Sequence, residues 1–85
     1  MKHVLITVKN VFKIEILTEI CDTREEAYGK MKEALRKRLI MDGADDIMPA
    51  LEEGIEFSNA VLHESDAYIF QGFDTISHHW KIIEV

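Results

Sequence analysis

The sequence predicts an α+β fold: an antiparallel sheet of four to five strands packed on one amphipathic helix, in the order ββα, short α, βββ. Three observations carry this prediction. A helical run extends from Thr23 to Asp42, period-two alternation occurs on both sides of it, and turn residues sit at the joints. Residues 1–85 are read as a single α+β domain, near the smallest size at which one core suffices without staples. A 47% hydrophobic fraction beside 31% charged residues is that of a globule and argues against disorder.

The central helix is the firmest element. Tyr28, Met31, Leu35 and Leu39 recur at helical spacing with Ala27 and Ala34 beside them, forming one stripe able to cover a sheet face. Thr23 and Glu26 have the spacing of a capping box, and Gly43 supplies a left-handed residue just past the end. Glu26–Lys30 and Glu33–Lys37 are predicted as ion pairs along the outer side.

Before the helix, Val4, Ile6 and Val8 alternate with Leu5, Thr7 and Lys9, and Phe12, Ile14 and Ile16 alternate with Lys13 and Glu15. This predicts a half-buried hairpin. Pairing Val8 with Phe12, Ile6 with Ile14 and Val4 with Ile16 keeps the apolar set together and requires a turn of odd length. The simplest such turn is Lys9-Asn10-Val11, with Asn10 at positive φ, although a longer odd loop also satisfies the pattern.

After the helix, Asp46 is expected to cap a short helix from Ile47 to Glu53, ended by Gly54, with Pro49 in its first turn. Alternation resumes at Ile55, Phe57, Asn59 and Val61, Ala67 to Gln71 follows as a strand, and Trp80 to Val85 is the last. Asp74 and Thr75 are expected to cap a single helical turn through His78.

Most chemistry is argued against. Cys21 is the only cysteine, which excludes an internal disulfide and reads as packing at a strand end. The four glycines are scattered, so no phosphate-cradling loop forms, and no serine sits in a nucleophile elbow. His3, His63, His78 and His79 lack zinc-type spacing, and adjacent residues of an extended segment point to opposite faces. The chain is expected to be non-enzymatic and without cofactors. The alternative is a small-ligand or metal-binding domain using His63, His79 and Asp74. The apolar run Val4–Val8 is too short for a signal or a membrane span, and a cytoplasmic setting is expected.

Charge is more informative. Residues 1–38 carry nine Lys or Arg against six acids, whereas residues 39–80 carry nine acids and no Lys or Arg. A region of one sign repels nucleic acid and attracts basic surfaces, the alternative being a solvated face that keeps a small protein soluble. Tyr68, Phe70, Phe73 and Trp80 lack the neighbouring cations that a single-strand stacking platform needs. The expected partner site is therefore acidic, formed by Asp42, Asp45, Asp46, Glu52, Glu53 and Glu56, and its expected partner is a basic protein surface.

The run DTREEAYGKMKEAL, followed by short strands and a closing WKIIEV, resembles short α+β proteins of bacteria and their mobile elements. The small acidic hairpin-helix-strand layout is also similar to phage-encoded anti-CRISPR inhibitors. That resemblance implies a cytoplasmic, acidic inhibitor of a nucleic-acid-binding defence protein such as a CRISPR nuclease.

Overall fold

The structure, a computed structural model, describes residues 2–71 and 75–85. Strands β1 (His3–Asn10) and β2 (Ile14–Cys21) precede helix α1 (Arg24–Met41). A 3-10 turn over Asp45–Ile47 runs into a short helix α2 (Met48–Glu52). Strands β3 (Ala60–Leu62), β4 (Asp66–Gln71) and β5 (Thr75–Glu84) complete the chain. The five strands form one antiparallel sheet in the order β2-β1-β5-β4-β3, with α1 packed on one side. The α+β class and the element order are those the sequence predicts.

Helix α1 starts and stops by local chemistry. Thr23 Oγ1 accepts from the Glu26 N–H at 3.1 Å, while the Glu26 carboxylate accepts from the Asp22 N–H at 3.4 Å, one residue earlier than an ideal capping box. At the other end Gly43 adopts φ +70°, its N–H bonds to Ile40 O, and the Ala44 N–H bonds to Leu39 O at 2.8 Å. This is a Schellman closure, which satisfies carbonyls the helix would leave orphaned. Met31, Leu35 and Leu39 of the predicted stripe are buried together with Ala27, while Tyr28 and Ala34 are half-buried. Glu26 pairs with Lys30 at 3.5 Å, but Glu33 pairs with Arg36 at 2.7 Å instead of Lys37. A forked guanidinium three residues on meets both carboxylate oxygens.

The hairpin differs from expectation in register and in face. Val8 pairs with Ile16, Ile6 with Thr18 and Val4 with Ile20, so the turn is Val11-Phe12-Lys13. The expected turn needed Asn10 at positive φ, and among the described residues only Gly43 and Gly54 adopt positive φ. Moving the turn lets Asn10 join the ladder opposite Ile14, brings Cys21 opposite His3, and leaves Phe12 fully exposed at the tip. The turn stays odd and the parity is preserved, so the apolar set still shares one face.

That face is not the one α1 covers. Leu5, Trp80, Ile82, Ala67, Ile69, Ala60 and Leu62 are buried with the helix stripe. Cross-strand partners point to the same side of a sheet, and Leu5 faces Ile82, Ala67 faces Trp80, and Ala60 faces Ile69. Val4, Ile6 and Val8 lie on the opposite side. The covered side is set by β4 and β5. Alanines at 60 and 67 leave room for a helix, whereas the other side carries Tyr68, Phe70, His79 and Lys81.

Three further expectations are corrected. Asp46 is not a cap: the 3-10 turn begins after Ala44 without a side-chain cap bond, and α2 starts only at Met48. Two of the acids thus sit on a 3-10 turn and Glu52 on an α-turn, which breaks the seven-residue stacking expected of one helix. Residues 55–59 are irregular and only Ala60–Leu62 pair, because the Phe57 N–H turns back onto Ala60 O at 3.0 Å. Residues 75–78 are strand, not a helical turn, since β5 pairs with β4 from Thr75 onward. Asp74, the expected cap, and Phe73 lie outside the described residues.

Candidate functional site: an acidic cleft beside α2

The six acids of the expected site are all exposed, and the chain distributes them in two groups. Asp42, Asp45 and Asp46 follow the C-terminal end of α1. Glu52, Glu53 and Glu56 lie after the chain has doubled back through α2. Asp42 is held by Arg38 at 3.3 Å and Glu52 by Lys32 at 3.8 Å. Asp45, Asp46 and Glu53 make no ion pair among the described residues.

Glu52 and Glu53 border a cleft of about 590 Å³ between α1, the end of α2 and the β3–β4 turn, and Glu56 reaches it only through His63. Tyr28, Leu51 and Leu62 give it an apolar floor, and Glu52, Glu53, Glu64 and Asp66 supply carboxylates around it. The local sequence explains the shape. Gly54 at φ +92° turns the chain away after α2, its N–H bonding to Leu51 O at 3.0 Å, so Glu53 stands at the edge. The polar run His63-Glu64-Ser65 forms the β3–β4 turn, closed by the His63 N–H to Asp66 O bond at 2.8 Å. Arg24 reaches across from α1, donating to Ser65 Oγ at 2.6 Å and lying 3.8 Å from Glu64.

His63 is clamped between two carboxylates: Nε2 is 3.0 Å from Glu56 and Nδ1 is 3.0 Å from Asp66. Only the imidazolium donates from both nitrogens, so the hydrogen bond to Glu56, then that to Asp66, raises the His63 pKa above its usual value. Asp66 also accepts from the Tyr68 hydroxyl at 3.0 Å. With both nitrogens committed to carboxylates, the ring is arranged as a cation bridge rather than as a metal ligand. Among the described residues no group of three His, Cys, Asp or Glu side chains is placed to hold a metal ion.

The His63 bridge makes stability depend on pH with a defined sign. Its folded pKa is above its unfolded one, so its contribution is complete below about pH 6.5, the ordinary histidine value. It is lost as pH rises through the folded value. His63→Gln should therefore lower the urea midpoint relative to the parent at mildly acidic pH and not at alkaline pH. A deficit of equal size at both would contradict the bridge.

The remaining expected participants are separated. His79 stacks on Tyr68 at 4.3 Å on the side of the sheet away from α1. His78 is buried on the helix side, its pKa lowered by burial and then by the charge of Arg38. Ser77 Oγ donates to Ile69 O at 3.2 Å and lies 3.0 Å from His78 Nδ1. This contact is sealed at the β4–β5 bulge, where it satisfies buried polar atoms. Cys21 is buried and its thiol pKa is raised by that burial, which is the opposite of what an activated nucleophile requires. No helix among the described residues is long and apolar enough to cross a membrane.

Three other cations gather elsewhere. Lys9, Lys37 and Arg38 rim a groove of about 460 Å³ between the other end of α1 and β1–β2, over Trp80 and Leu17. Sequence reasoning did not find Tyr28, Glu64 and Asp66 as neighbours of Glu52 and Glu53. The one signal was the polar quartet His63-Glu64-Ser65-Asp66, whose ends meet across a tight turn. Compared with known protein families, with curated proteins and with solved structures, the chain matches none.

Proposed function

We propose that this chain is a non-enzymatic protein-binding protein whose acidic segment, Asp42 to Glu56, engages a basic surface on its partner. The observation that supports it best is the cleft beside α2. Unpaired Glu53 and the carboxylates of Glu52, Glu64 and Asp66 border an apolar floor that includes the Tyr28 ring. A lysine or arginine side chain suits such a cleft, its stem against Leu51 and Leu62 and its head among the carboxylates. Asp45 and Asp46 extend the same sign of charge towards the end of α1.

Basic surfaces of this kind are presented by proteins that hold nucleic acid, and an acidic occupant would act on them as an inhibitor. A defence nuclease of the CRISPR type is the partner class implied by the resemblance to phage inhibitors. The test is capture from a host lysate by the parent and by a variant carrying Asp45→Asn, Asp46→Asn, Glu52→Gln and Glu53→Gln. The parent should retain a basic protein at low salt and release it at high salt, and the variant should not retain it. Equal retention by both would overturn the proposal.

A further inference from the structure

The side of the sheet away from α1 is the largest feature that the acidic cleft leaves unexplained, and it is independent of that cleft. β2 and β1 place Ile14, Ile16, Ile20, Val4, Ile6 and Val8 on it. β4 and β5 continue it with Tyr68, Phe70, Ile76 and Ile83, Phe70 standing opposite Ile76 and Val4 opposite Ile83. Helices α1 and α2 pack on the other side, and among the described strand residues with hydrophobic side chains on this side only Val61, opposite Tyr68, is buried. Ile14, Ile16 and Ile20 are 68%, 65% and 68% exposed, values of side chains with nothing above them.

Size and charge together indicate the occupant. Strands of eight, eight, three, six and ten residues, at about 3.3 Å a residue and about 4.8 Å apart, span roughly 550 Å² in projection. Accessible area exceeds projected area, so the face as a whole approaches the roughly 800 Å² per partner of a stable interface. The chain carries a net charge of −6, yet Glu15, Glu19 and Glu84 all point to the helix side, opposite Lys9, Leu5 and His3. Among the described strand residues, the open side carries Lys81 and, opposite it, Asp66, whose carboxylate is already engaged by the Tyr68 hydroxyl and by His63. A basic partner would find no anion excess here. A second copy would meet no like charge, although elsewhere two such acidic chains repel.

We propose that two copies of this chain pair through this open sheet face, forming a two-fold symmetric sandwich with both α1 helices and both acidic clefts outward. Facing sheets pack about 10 Å apart with their inner side chains interdigitated, which suits a surface of isoleucine and valine with two aromatic rings. The interface is isologous, so each apolar strand meets the same set on its partner.

Sedimentation or light scattering of the intact chain tests this, with Ile16→Lys on β2 and Ile83→Lys on β5 as separate variants. The parent should have twice the mass of the 9.8 kDa chain. Both variants should be folded monomers by circular dichroism, because a lysine and its two-fold copy would be buried together. Ile16 is exposed enough in one copy for that variant to fold even where Ile83→Lys does not. Met41→Lys, at the exposed end of α1, should remain a dimer. A monomeric parent overturns the proposal, including one that binds phospholipid vesicles, where lipid would be the occupant. Folded variants that stay dimeric also overturn it, since the copies would then meet along the free edge of β2.

Discussion

Leu35→Asp should leave the chain unfolded in water. Leu35 is fully buried at the middle of the α1 stripe, within the core cluster that includes Met31, Leu39 and Trp80. Removing a buried leucine costs about 2–5 kcal/mol in lost transfer and cavity terms. A carboxyl placed there has no partner, and either its charge or its neutralisation adds further cost. At about 0.05–0.15 kcal/mol per residue, a domain of this size has only about 4–13 kcal/mol of stability to lose. Circular dichroism should show loss of helix and strand together. Lys37→Gln, on the exposed side of the same helix, should change the midpoint by no more than about 0.5 kcal/mol. Equal stability of the two variants would mean that the helix packs by another face.

The second large effect is expected on binding. Neutralising Asp45, Asp46, Glu52 and Glu53 removes two unpaired carboxylates before the cleft and two at its border. Charge pairs at the rim of an interface act mainly through the association rate, which electrostatic steering raises by roughly 10–1,000-fold. The four-site variant should therefore bind the basic partner at least about tenfold more weakly at low salt. The two proteins should converge as salt shortens the screening length to about 3 Å near 1 M. Stability should change little, because all four side chains are exposed and only Glu52 loses an ion pair. Glu15→Gln with Glu84→Gln, on β2 and β5 and outside the cleft, is the matched control and should bind as the parent does. A variant that binds tightly at low salt would leave the acids a solubility role alone.

Much of the fold was legible because its signals are local. The α1 boundaries follow from Thr23, Glu26 and Gly43, and its buried stripe follows from spacing alone. β1 and β2 were visible from alternation, yet that same alternation misled about the covered face. A central strand is apolar on both sides, and Val4, Ile6 and Val8 outweigh Leu5 when β1 is read by itself. The choice belongs to β5 and β4, where Trp80 and Ile82 alternate with His79 and Lys81, and Ala67 and Ile69 with Tyr68 and Phe70. Only pairing brings those patterns into one sheet.

The acidic cleft was half legible for the same reason. Glu52 and Glu53 stand out in a segment without cations, whereas Glu64 and Asp66 join them only when the β3–β4 turn folds beside α2. Asp46 looked like a cap because an acid preceded an apolar turn, but the tight Schellman closure after α1 passes directly into a 3-10 turn and leaves that side chain free. The His63 bridge required knowing that Glu56 belongs to an irregular segment rather than to a strand.

The acidic cleft and the open apolar face are both defined by the side of the sheet that α1 covers. Trp80, the only tryptophan, lies on the covered side and is 2% exposed, while its neighbours His79 and Lys81 point the other way. Its fluorescence under a soluble quencher is the most direct measurement. The folded protein, held monomeric by Ile16→Lys so that only α1 shields the ring, should emit at shorter wavelength than the urea-unfolded chain and resist quenching. Emission and quenching equal to those of the unfolded chain, while circular dichroism reports intact structure, would contradict the account.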